Sequence, residues 1–134
     1  MIKEVYCSFE VAKLLKEKGF DCPCHATYDT AVTGGKPKFF EYDVLQFFPN
    51  GMKNSDDKYG MVISAPTHQM AMAWLREYKI YIMIDRSWSM KDSWQYCICV
   101  NNDFDHLIQQ DSIPNRTYEE AVEAALKYVL ENLI

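Results

Sequence analysis

Five side chains are the first candidates for chemistry: Cys22, Cys24 and His25 in DCPCH, and Cys97 and Cys99 in QYCICVN. Thiolates and imidazoles are the ligands of a structural zinc ion, which takes four of them tetrahedrally, with typically about two to four residues between paired cysteines. Here one residue separates each pair. In extended chain, residues two apart share a face and neighbours oppose one another. A strand beginning at Cys22 therefore turns Cys22 and Cys24 one way and His25 the other. Cys97 and Cys99 likewise lie opposite Tyr96, Ile98 and Val100. The four thiols converge only if the two strands are neighbours. Otherwise cysteine acts as a small buried hydrophobe. That is the reading taken, with no metal ligand and no cofactor assigned. The chain has five cysteines, an odd number, so one is left over from any set of disulfides.

Other polar groups form no recognisable catalytic set. His68 opens a helix, where a positive charge is disfavoured and a neutral ring could act as a general base. No nucleophile is placed beside it by sequence, so His68 is expected as a first-turn surface residue. His25 and His106 are the other histidines. Asp85 and Asp92 flank a hairpin tip, and Asp56, Asp57, Asp103 and Asp105 lie in loops. None fits the glycine-centred pattern of a calcium loop. The glycine pair in TGGK lacks phosphate-loop spacing and leads towards a strand. No catalytic residue is assigned.

One group invites a different chemistry. Trp88, Met90 and Trp94 cluster at the tip RSWSMKDS of an expected hairpin. Large apolar side chains on a protruding loop are enriched at protein interfaces. These three are the candidate partner contacts, the alternative being a tip folded back over its sheet.

Three segments have the helical period. In SFEVAKLLKEKGF, Ser8 is the N-cap, Gly19 the terminator, and Val11, Leu14 and Leu15 the buried stripe with Ala12 beside it. APTHQMAMAWLREYK aligns Ala71, Trp74, Leu75 and Tyr78 on one face. TYEEAVEAALKYVLENLI opens with a Thr117–Glu120 capping box and carries an apolar face from Tyr118 to Leu130. Glu123 and Lys127 form an i, i+4 pair on its wet side. Strands are expected in CHATYDT and KFFEYDVLQF, joined by the glycine-rich AVTGGKP, and in KIYIMID and WQYCICVN. In the second of these, Phe40, Tyr42 and Val44 face opposite Glu41 and Asp43. YGMVIS is a short further candidate, whereas PNGMKNSDDK and NDFDHLIQQDSIPN read as loops.

The length of 134 residues suits one domain spanning 1–134. Its class is α+β, with three helices packed on one face of a mainly antiparallel sheet in the order α-β-β-(β)-α-β-β-α. LLKEKGF and WLREYKI share a pattern that would suit a duplicated α-β-β unit, although any amphipathic helix running into a strand looks similar.

The net charge of −5 argues against nucleic acid as the main partner, because phosphate binding needs clustered Lys and Arg. The early α-β-β-β-α order could pass for a double-stranded-RNA-binding domain. The start of its closing helix, SAPTHQ, lacks the basic cluster that grips phosphates. The longest apolar run, MAMAWL at residues 70–75, is far short of a membrane span. MIKEVYCSFEVAK carries charges where a signal peptide is apolar. A cytoplasmic protein with no membrane partner is expected.

SFEVAKLLKEKGFD, SAPTHQMAMAWLRE and TYEEAVEAALKYVLENLI together resemble small uncharacterised proteins common in Bacteroides-type genomes and in their phages and prophages. The Ala65-Pro66 step into a helix ending Trp74-Leu75-Arg76-Glu77 is the most specific part. This resemblance implies a compact bacterial or phage cytosolic protein and brings no catalytic residues. The expected role is that of a non-enzymatic interaction or accessory protein, acting through a protein partner or self-association. The alternatives are a nucleic-acid-binding module and an enzyme with an unrecognised site around His68.

Overall fold

The computed structural model describes residues 2–30, 36–42, 50–87, 89–101, 103–109 and 115–134, the side chains of 103–106 and 109 excepted. The fold is α+β, with three helices and two antiparallel three-stranded sheets. The chain forms two compact units, Met1–Thr67 and His68–Ile134.

The first unit begins with α1, Phe9–Glu17. Ser8 caps it by accepting a hydrogen bond from the Val11 N–H at 3.2 Å, and Gly19 adopts φ +92° just past its end. Val11, Ala12 and Leu15 are buried. Leu14 is only half-buried, so the apolar stripe is narrower than its spacing suggests. Three strands follow: β1 (Ala26–Asp29), β2 (Lys38–Glu41) and β3 (Val62–Ser64), in the order β2-β1-β3. Tyr28 sits between Phe39 on one side and Ile63 on the other. YGMVIS thus does join the sheet, supplying the edge that makes β1 central. The glycine turn at 31–35 and the expected extension of β2 through Asp43 and Val44 lie outside the described residues.

The strand begins at Ala26, not at Cys22. Cys24 instead makes an isolated bridge with Met52, exchanging N–H···O bonds of 2.9 and 2.7 Å. The chain passes so close there that a Cβ on Gly51 would lie 3.0 Å from the Cys24 backbone N and O. Gly51 also adopts φ +77°, a second reason for glycine at this position.

The second unit runs α2 (His68–Glu77), β4 (Ile80–Arg86), β5 (Trp94–Val100), β6 (Asp103–Gln109) and α3 (Tyr118–Asn132). Its sheet is a meander, β4-β5-β6. The segment read as the loop NDFDHLIQQDSIPN therefore contains a full strand, β6. Its turn signal is Asn101-Asn102 between Val100 and Asp103. Asparagine tolerates the left-handed conformation that two-residue hairpins need, and Asn101 adopts φ +56°.

α3 carries the expected cap: Thr117 Oγ1 accepts from the Glu120 N–H at 3.1 Å. Glu120 reaches back one residue further than a capping box predicts, accepting from the Arg116 N–H at 3.0 Å. Ala121, Val122, Ala125, Leu126, Val129 and Leu130 are buried. Helix followed by antiparallel hairpin occurs in both units. The third strand, however, joins β1 in the first and β5 in the second, so the two sheets are ordered differently. Among the described residues no helix is long and apolar enough to cross a membrane.

Candidate functional site

Register and ring contacts decide which side of the second sheet is open. Trp94 meets Tyr118 edge-on at 5.4 Å and Tyr96 lies 6.5 Å from Tyr128, so the even-numbered residues of β5 face α3. Ile98, between them and Val100, is wholly buried on that side. The odd-numbered residues point the other way. Tyr81 pairs with Cys99 and Met83 with Cys97 across β4 and β5. Ile108 lies opposite Ile98, so Leu107, one residue earlier, falls on the outer side. On this outer side Cys99 is buried and Tyr81 and Cys97 are half-buried, whereas Met83 is 37% exposed and Leu107 38%. A sheet with helices on one face ordinarily turns polar residues to water on the other. Here Tyr81, Met83, Cys97 and Leu107 stand where polar residues are the rule.

The expected contact residues are distributed unequally around the tip between β4 and β5. Met90 is 47% exposed. Trp94 is half-buried: besides Tyr118 it lies under the Arg86 guanidinium at 5.7 Å, and its backbone exchanges bonds of 2.7 and 2.8 Å with Asn115. Trp88 lies outside the described residues.

His68 is not a surface residue. It is 5% exposed, and its Nε2 lies 2.8 Å from Glu123 Oε1. The pair is not legible in the sequence, because the i, i+4 spacing of Glu123 and Lys127 places Glu123 on the wet side of α3. The only available signal was that Glu123 follows Val122 at the border of the apolar stripe. The pairing aims the imidazole at a carboxylate, and burial closes it to solvent. Its geometry is that of a clamp between α2 and α3.

In the first unit Cys7 is buried and Cys22 half-buried. Cys24 is buried, its Sγ donating to the Cys22 carbonyl at 3.4 Å. Burial first, and then the neighbouring Cys22, push the Cys24 thiol up to about 12, so it is not a ready thiolate. Nε2 of His25 is buried without a hydrogen-bond partner among the described residues. An open cleft of about 390 Å³ is lined by Lys3, Glu4, Tyr6 and Glu41. Burial, followed by Glu41 and Glu4, raises the Tyr6 phenol above its ordinary value, so Tyr6 stays protonated and serves as a donor there. Comparison with family models, curated proteins and solved structures finds no match.

Proposed function

We propose that this chain is a non-enzymatic interaction or accessory protein that acts through a protein surface on its second unit. One observation carries the reading: the outer face of β4-β5-β6 leaves Met83 and Leu107 more than a third exposed around Tyr81 and Cys97. Apolar side chains grouped on a sheet face, with Met90 exposed at the adjoining hairpin tip, are the composition of a protein contact. Methionine suits such a surface because its unbranched, polarisable side chain adapts to a partner.

A cytoplasmic setting is part of the proposal. A bacterial or prophage origin rests on the resemblance carried by the Ala65-Pro66 step and Trp74-Leu75-Arg76-Glu77. The net charge of −5 argues for protein over nucleic acid.

The test is site-specific photo-crosslinking in the cells that express the protein. Benzoyl-phenylalanine at Met83 is compared with the same group at Lys13, exposed on α1. The expected result is one or a few discrete protein adducts from position 83 and none from position 13. No adduct from position 83 overturns the reading.

A further inference from the structure

An asparagine side chain can be attacked by the backbone nitrogen of the residue that follows it, with loss of ammonia. A Cβ on that residue hinders the attack, so the step is easiest where glycine follows. Asn50 is the one asparagine of this chain that precedes glycine, and Asn54, a few residues later, precedes the small serine. The fold treats the two oppositely. Asn50 is exposed, and among the described residues its side chain makes no hydrogen bond. Asn54 is 8% exposed, its Nδ2 donates to Phe20 O at 2.8 Å, and its Oδ1 accepts from the Ser64 N–H at 2.8 Å. The nitrogen that would attack Asn54 belongs to Ser55 and donates to Asp21 Oδ1 at 2.7 Å. A side chain held at both ends does not swing onto its neighbour without local opening. Asn54 is locked by the fold, and Asn50 is left in water.

The chain immediately past Asn50 has no slack. Met52 exchanges backbone bonds of 2.9 and 2.7 Å with Cys24. At Gly51 an added Cβ would lie 3.0 Å from Cys24 N, Cys24 O and Pro23 Cβ. Main chain that fits this closely does not absorb an extra backbone atom in place.

We propose that Asn50 is a site of spontaneous deamidation, and that the isoaspartyl product at this position undoes the bridge between Cys24 and Met52. The Gly51 nitrogen forms a bond to Asn50 Cγ, the Cγ–Nδ2 bond breaks, and ammonia leaves with the proton that the nitrogen gives up. Water then opens the cyclic imide. Opening at the side-chain carbonyl leaves an ordinary aspartate. Opening at the main-chain carbonyl leaves isoaspartate, whose backbone runs through Cβ and Cγ and is one carbon longer. The only co-reactant is water. The ordinary aspartate adds a charge at an exposed position and leaves the backbone path unchanged. The isoaspartate displaces Gly51, separates Met52 from Cys24 and opens the cover over the Cys24 thiol. This change lies in the first unit and is independent of the interaction reading.

Ageing the protein in warm, mildly alkaline buffer, with a parallel sample in urea, tests both steps. Peptide mass spectrometry that separates aspartate from isoaspartate reads the conversion. Asn50 should convert in both samples. Asn54 should convert in urea and at least about tenfold more slowly in the native protein, because its reaction waits for buried hydrogen bonds to open. The deamidated native fraction is then isolated by anion exchange on its extra negative charge and treated with iodoacetamide. Cys24 should be alkylated in proportion to the isoaspartate content of that fraction. It should stay protected in Asn50→Asp, which carries the same charge on an ordinary backbone, and in Asn50→Gln aged in the same way. A native Asn50 that keeps its amide, or a Cys24 that stays protected in the isoaspartyl fraction, overturns the inference. Equal alkylation of Cys24 in fresh Asn50→Asp does so too, by placing the effect in charge.

Discussion

Nε2 of His68, the first residue of α2, lies 2.8 Å from Oε1 of Glu123 near the middle of α3. The histidine side chain is 7% exposed and the glutamate 27%. A buried imidazole nitrogen that loses its partner bears the full cost of desolvation, so the pair is worth more than a surface contact between the same residues. Glu123→Ala is expected to lower unfolding stability by about 1–3 kcal/mol in urea titrations. Glu123→Gln should cost less, because the amide oxygen can still accept. Equal and negligible losses would show that the helices hold together without the pair.

Asp57 gives the first unit a dependence on acid. Its carboxylate is 6% exposed and accepts from Lys16 Nζ at 3.1 Å and from the N–H groups of Val62 and Met61 at 3.1 and 3.3 Å. Burial alone would raise it, but the Val62 N–H, the Lys16 ammonium and the Met61 N–H together hold it below the usual carboxylate value. A folded-state pKa below the unfolded one contributes stability that is complete above the unfolded value and is lost as pH falls through the folded one. Asp57→Asn should therefore cost about 1–3 kcal/mol at neutral pH. The gap from wild type should narrow below about pH 4. A gap independent of pH would place the cost in packing.

Cys24 and Cys22 should differ in reactivity. The Cys24 thiol is pushed up to about 12, chiefly by burial, whereas Cys22 is partly exposed. Iodoacetamide near pH 8 should modify Cys22 and spare Cys24 until the protein unfolds, as read by peptide mass spectrometry. The raised folded-state pKa also means that stability falls once pH rises past the ordinary thiol value of about 8.5, where the unfolded chain ionises first. Equal labelling of both thiols in the native protein would show that Cys24 is accessible.

Trp74 is a packing residue. It is 7% exposed, and its ring meets Tyr78 edge-on at 4.9 Å. Trp74→Ala should cost roughly 3–5 kcal/mol in thermal or chemical unfolding. Tyr78, which is 49% exposed, should cost much less on the same change. A small effect at Trp74 would mean that α2 presents another face to its sheet.

The elements were legible wherever the signal was local. Ser8 and Thr117 cap the helices they are expected to cap, and the apolar stripe of α3 is buried from Ala121 to Leu130, with Tyr118 at its start exposed. The hairpin of β4 and β5 follows from two apolar runs with the turn segment RSWSMKDS between them. β6 is not legible because its residues, DFDHLIQ, are mixed in polarity and its turn signal, a pair of asparagines, stands in a long polar segment.

By itself the sequence determined the α+β class and the capped starts of α1 and α3, because caps, periodicity and strand alternation act over a few residues. Only the tertiary structure decided that His68 is buried against Glu123, 55 positions away. It also decided that Cys24 bridges Met52 instead of opening a strand, that β3 lies beside β1, and that one face of the second sheet leaves Met83 and Leu107 exposed. Each of these depends on which distant segment comes to lie alongside. Pairing over such distances is set by the burial and hydrogen bonding of the folded chain as a whole, and no local pattern encodes it.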